Sequence, residues 1–82
     1  MKVIMYIMAN DTKWVEREED LPFFPFHGLD LTGMAADQPL RINSVSYDLP
    51  GQFFKIRLSW MSNEPINSKD LVDNHGWKLV QK

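Results

Sequence analysis

The chain has 82 residues, 44 % of them apolar and 24 % charged, with a formal net charge of −2 and no cysteine. This is the composition of one ordinary globular domain over residues 1–82, too apolar for disorder and too short for a second core. It excludes disulfides and thiolate metal sites, and it argues against a dedicated duplex nucleic-acid binder, where a basic balance is usual.

The first segment, MKVIMYIMA, is too short for a membrane span. It also lacks a clean cleavage region before Asn10-Asp11, which a signal peptide would need. With no cysteine besides, the expected location is cytoplasmic, away from membranes. Val3 to Met8 is apolar on both alternating sets, which predicts a central strand covered on both faces. Ala9 to Thr12 is turn chemistry. Trp14 and Val15 open a second strand that becomes charged at Glu16-Arg17-Glu18-Glu19-Asp20, a composition suited to an exposed sheet edge. Either register of this first hairpin leaves a mixed face, so its pairing stays open.

Leu21-Pro22-Phe23-Phe24-Pro25-Phe26 cannot be a central strand, because each proline removes a ladder donor. It is expected to bend over one end of the sheet as extended backbone. His27 to Leu31 reads as a short third strand entered through Gly28, and Thr32 to Pro39 as a loop with a helical turn at Met34-Ala35-Ala36.

Leu40 to Met61 carries the clearest pattern in the chain. Leu49-Pro50-Gly51-Gln52 is a turn signal, with Pro presetting φ and Gly expected to supply a positive φ. Closing there sets Asp48 opposite Phe53. Counting outward pairs Tyr47 with Phe54, Val45 with Ile56, Asn43 with Leu58 and Arg41 with Trp60 on one face. The other face carries Ser46 with Lys55, Ser44 with Arg57 and Ile42 with Ser59. Tyr47 and Trp60 are thus expected in the core. Beyond the hairpin, Ser68 is the expected N-cap of a short helix stopped at Gly76, and Trp77 to Val80 a final strand.

The fold class expected from these elements is mainly β: a small bent antiparallel sheet or partly open five-stranded barrel, with one short C-terminal helix and a final short strand. The run Pro25-Phe26-His27-Gly28-Leu29-Asp30-Leu31, followed by Leu40–Tyr47 and Phe53–Trp60, resembles the small SH3-like barrels. These also run Pro, Gly and an alternating strand before two hairpin-linked strands. The resemblance covers roughly residues 2–61 and implies a binding module without saying what is bound.

No nucleophile elbow, phosphate-binding glycine loop or His-Glu-x-x-His is present. His27 and His75 have no second ligand at metal spacing, so no catalytic residue, cofactor or metal is expected. Pro22 to Pro25 spells P-x-x-P, but acids precede it where a base would be needed. The expected function is therefore a non-enzymatic protein-interaction module, such as a viral or bacterial accessory or inhibitor protein. Its expected surface is acidic and aromatic: Trp14, Glu16, Glu18, Glu19, Asp20, Phe23, Phe24 and Phe26, with acids steering a partner and an exposed ring anchoring it. The plain alternative is that these rings close one end of the core.

A second reading, ranked below the first, is single-stranded nucleic-acid binding through Arg41, Phe53, Lys55 and Arg57, where rings stack bases and cations follow phosphates. Its plain alternative is that the bases are the soluble side of an amphipathic strand. Chains this short rarely gain more than about 3–5 kcal/mol from one core, so pairing with another protein, a second copy included, is also expected.

Overall fold

In the computed structural model, which describes residues 1–80, six strands form one sheet. They are β1 (Lys2–Met8), β2 (Trp14–Asp20), β3 (Asp30–Leu31), β4 (Leu40–Asp48), β5 (Phe53–Trp60) and β6 (Lys78–Leu79), in the order β3-β4-β5-β1-β2-β6, joined by one helix, α1 (Ser68–Asn74). The chain is mainly β with one short helix, as its sequence predicts. The sheet is mixed, however, and not closed into a barrel. β1 runs parallel to β5, with Val3 beside Phe54 and Tyr6 beside Arg57.

The parallel pair follows from the proline-rich segment. Leu21 is tied to the start of β1 by its N–H to the Met1 carbonyl. From there the chain crosses the end of the sheet with Pro25 buried and Phe24 edge-on to Phe54, ring centroids 6.2 Å apart. Backbone bonds from Gly28 to Ile42 and from Ile42 to Leu29 fix its arrival on the far side. The β4–β5 hairpin then returns to the middle with β5 pointing the same way as β1. Prolines thus act as expected, but the crossover they make replaces an antiparallel neighbour with a parallel one.

One sheet face is covered. Val3, Met5, Ile7, Val15, Leu40, Ile42, Ile56 and Leu58 form a single buried cluster with Met34, Ala35, Leu71 and Trp77. β1 is central, but its second apolar set, Ile4, Tyr6 and Met8, stays half-buried or exposed. The expected double cover is absent because the helix and the 21–39 segment both lie on the first face.

Within the hairpin, Ser44 to Asp48 pair with Arg57 to Phe53 as the alternation predicts. The register then shifts at a β-bulge: Ile42 opposes Leu58, Arg41 opposes Ser59 and Leu40 opposes Trp60, with Asn43 as the extra residue. Burial decides it, since the shift turns Ile42 and Leu40 into the core in place of Asn43 and Arg41. Tyr47 proves 46 % exposed because the cover does not reach the end of β4. Trp60 is half-buried, its indole N–H donating to the Met8 carbonyl at 2.7 Å. The turn differs too. Gln52, not Gly51, holds the positive φ of 58°. Gly51 is needed for space, as a Cβ there would run into the Phe53 ring and the Asp48 carboxylate.

No helical turn forms at Met34–Ala36. A tight turn with Ala36 at φ 54° takes its place, carrying Met34 and Ala35 inward. The helix starts one residue earlier than expected in its capping: Asn67 is the N-cap, its side-chain oxygen accepting the Asp70 N–H at 2.8 Å. Ser68 is buried instead, and its hydroxyl donates to Asp11 at 2.6 Å, with its N–H on the other carboxylate oxygen at 3.2 Å. This ties the β1–β2 turn to the helix.

The Ser68 hydroxyl, ahead of every other influence, holds the Asp11 carboxyl below the usual carboxylate range. A depressed folded-state pKa contributes stability that is present above the unfolded value and lost as pH falls through the folded one. The Ser68→Ala protein is therefore expected to melt below wild type at pH 7, and the two melting temperatures to converge as pH falls toward 2. A constant gap across a thermal-melt series from pH 7 to pH 2 would contradict this.

Candidate interaction surfaces

The strand alternation of β2 divides the acidic and aromatic residues of the sequence among three places. Trp14, Glu16, Glu18 and Asp20 share the open face with Met8, Tyr6, Ile4 and Lys2, their partners on β1. Glu19 points to the covered face, where it accepts from Arg17, whose guanidinium also donates to the His75 carbonyl at the helix end at 2.7 Å. Two of the three acids on the open face are engaged as well. Glu18 lies 3.7 Å from the Lys2 ammonium and Asp20 2.6 Å from the N-terminal one.

Phe23, Phe24 and Phe26 lie past the strand end and all three are exposed, Phe24 at 66 %, because the crossover turns Pro25 inward instead. Phe24 meets Phe54, and Phe54 meets Tyr47 edge-on with centroids 4.8 Å apart. Leu49, 77 % exposed, caps the adjacent turn. The result is an aromatic and apolar end to the sheet. Large exposed side chains gathered in one place are what mark an interaction surface.

Beside this end runs an unpartnered strand edge. β3 covers the outer side of β4 only at Leu40 and Arg41, with the loop before it reaching Ile42. From Asn43 to Tyr47 the outer edge of β4 has, among the described residues, no strand against it, and it carries no charged residue. The opposite edge is managed differently. β6 covers β2 at Val15 and Glu16, and the uncovered remainder is Arg17-Glu18-Glu19-Asp20, where charge opposes strand addition.

The open face makes a third surface. Strands β4, β5, β1, β2 and β6 curl so that Ser44 and Ser46 on one side and Val80 on the other line one groove of about 700 Å³. Its floor carries Tyr6, Trp14, Lys55 and Arg57. The Arg57 guanidinium lies 5.9 Å from the Trp14 ring centroid, and Lys55 lies 5.9 Å from that of Phe53. Burial, with Glu16 as the lesser cause, raises the Tyr6 pKa, and its phenol, like any tyrosine's, can donate a hydrogen bond at neutral pH.

Compared with known proteins, the chain matches no family model, no curated protein and no solved structure.

The structure thus brings Phe53, Lys55 and Arg57 together on the open face and leaves Arg41 apart. Arg41 is forked onto Asp30 at 2.8 and 3.4 Å, which also holds the Asp30 carboxyl below its usual range. Sequence reasoning missed Tyr6, Thr12 and Trp14 as neighbours of the basic residues, since only the β1–β5 parallel pair unites them. The exposed β4 edge was missed as well. Its signal was available: a long uncharged strand followed by a hairpin, with a two-residue neighbour. His27 is exposed, and among the described residues no group of three His, Asp or Glu is placed to hold an ion. No helix among them is long and apolar enough to cross a membrane.

Proposed function

We propose that the chain is a protein-interaction module that works by strand addition at the outer edge of β4. The observation that carries this reading is the uncharged, unpartnered stretch Asn43–Tyr47 beside the exposed Tyr47, Leu49 and Phe24. An extended segment of another protein laid on this edge would gain main-chain hydrogen bonds along β4. Alternate side chains of that segment would fall on Tyr47 and the rings beyond it, which gives selectivity. The contrast with β2 supports the assignment, because the fold protects one edge with charge and not the other. Of the acids of β2, Glu18, Glu19 and Asp20 are tied to cations of the chain itself, and β5 and β1 stand between all four acids and the β4 edge.

Photocrosslinking tests this directly. A benzoylphenylalanine in place of Tyr47 is expected to form adducts with one defined protein in the native host, and the same residue in place of Asp73 on the helix to form none. Tyr47→Lys adds a charge to the edge and removes a ring, and should weaken capture of that protein by roughly tenfold or more. Equal adducts from positions 47 and 73 would refute the reading. Adducts with a second copy would make the chain its own partner, the self-association that its short length predicts.

A further inference from the structure

The groove on the open face meets the β4 edge only at Ser44 and Ser46 and calls for a different ligand. Among the described residues, four lysine and arginine side chains have carboxylate partners: Lys2 with Glu18, Arg17 with Glu19, Arg41 with Asp30, and Lys69 with Asp73. Lys55 and Arg57, like Lys13 and Lys78, have none among the described residues, and they alone of these four stand side by side on β5. They stand in adjacent rows of the sheet, each between a serine of β4 and a residue of β1: Ser46, Lys55 and Ile4 in one row, Ser44, Arg57 and Tyr6 in the next. Around them are hydroxyl groups of Ser44, Ser46, Thr12 and Tyr6 and the ring of Trp14, with no acid in the lining. Two unpaired cations surrounded by hydroxyl donors and ring faces suit an anion that carries a planar group.

We propose that this groove binds nucleotide chemistry, with Lys55 and Arg57 on a phosphate and Trp14 and Tyr6 against the face of its base. The volume lies within the range of ordinary ligand pockets. The Arg57 guanidinium stands 5.9 Å from the Trp14 ring centroid, so one ligand can reach the cation and the ring together. The proposal goes beyond strand addition and does not depend on it. The same chemistry can arrive as a free nucleotide or as one unit of a single strand, and affinity tells these apart.

The test uses the full chain and a fluorescein-labelled eight-nucleotide oligothymidylate, read by anisotropy across a salt series. Neutralising one phosphate of a single strand predicts a log K against log salt slope of about −0.7. The Lys55→Gln, Arg57→Gln double variant, changed only at exposed positions, should lose tenfold or more in affinity and bring the slope toward zero. Trp14→Leu should lose affinity while keeping the slope, which separates stacking from charge. Lys69→Gln, on the helix, should change neither. Competition assigns the source: thymidine monophosphate displacing the probe as well as unlabelled strand does, per nucleotide, identifies a free nucleotide, and a far weaker effect identifies the strand. No saturable binding, wild-type affinity in the double variant, or equal competition by a duplex would each overturn the proposal.

Discussion

Trp77→Ala is expected to leave the chain largely unfolded at room temperature. Trp77 is 2 % exposed and is among the largest fully buried side chains. It belongs to the cluster that joins the covered sheet face to Leu71 of α1 and to Met34 and Ala35 of the crossover. Its indole N–H donates to the Met34 carbonyl at 2.7 Å, and its own N–H to the Leu71 carbonyl at 3.2 Å. One residue therefore fastens the helix, the loop and the sheet together. Truncating a buried Trp costs about 3–5 kcal/mol, and a buried carbonyl left without its donor adds about 1–3 kcal/mol. A core of this size rarely supplies more than about 3–5 kcal/mol in total, so the loss consumes the whole margin.

Trp60→Ala makes the comparison. That ring is half-buried and its N–H reaches Met8 at the end of β1, so a cost of about 1–3 kcal/mol and a folded protein are expected. Urea titration followed by circular dichroism separates the two. A Trp77→Ala protein that melts with wild type, while Trp60→Ala unfolds, would place the centre of the core elsewhere.

The contrast between these tryptophans shows where the sequence was readable. Trp60 ends the hairpin with the clearest alternation, and that pattern suggested a core position. Trp77 sits after a glycine in a short apolar run, where periodicity says nothing about depth. The local hairpin between Ser44 and Arg57 was legible because turn chemistry and alternation agree there. The parallel β1–β5 pair was not, because it depends on a crossover that no local pattern encodes. The open face was half legible for the same reason: Lys55 and Arg57 follow from β5 alone, but Tyr6 and Trp14 join them only through that pair and through a hairpin whose two registers looked alike. The acidic and aromatic residues between Trp14 and Phe26 are neighbours in sequence, and strand alternation with an inward Pro25 then distributes them over separate surfaces.

Ile42→Asp should unfold the protein, whereas Asn43→Asp should barely change it. Unbroken alternation from the turn predicts the reverse, since it sets Asn43 against Leu58 on the apolar face and Ile42 against Ser59 on the polar one. The bulge inverts this: Ile42 is fully buried opposite Leu58 and Asn43 is exposed. A carboxylate at position 42 would enter a cluster of Val3, Met5, Ile56 and Leu58 with no cation near it, at a cost of several kcal/mol even after relaxation. The lost isoleucine adds about 1.5–3 kcal/mol of burial. At position 43 the carboxylate meets water, and the change should stay within about 0.5 kcal/mol. Both parities of apolar residue occur within β4, Leu40 and Ile42 in one set and Val45 and Tyr47 in the other, and only an extra residue between them lets both sets face the same side. Removing Asn43 altogether should therefore be tolerated, because a regular ladder then sets Ile42 opposite Leu58 directly. Thermal melts of the three proteins decide the matter, and an Ile42→Asp chain as stable as wild type beside an unfolded Asn43→Asp chain would show that the strand runs without a bulge.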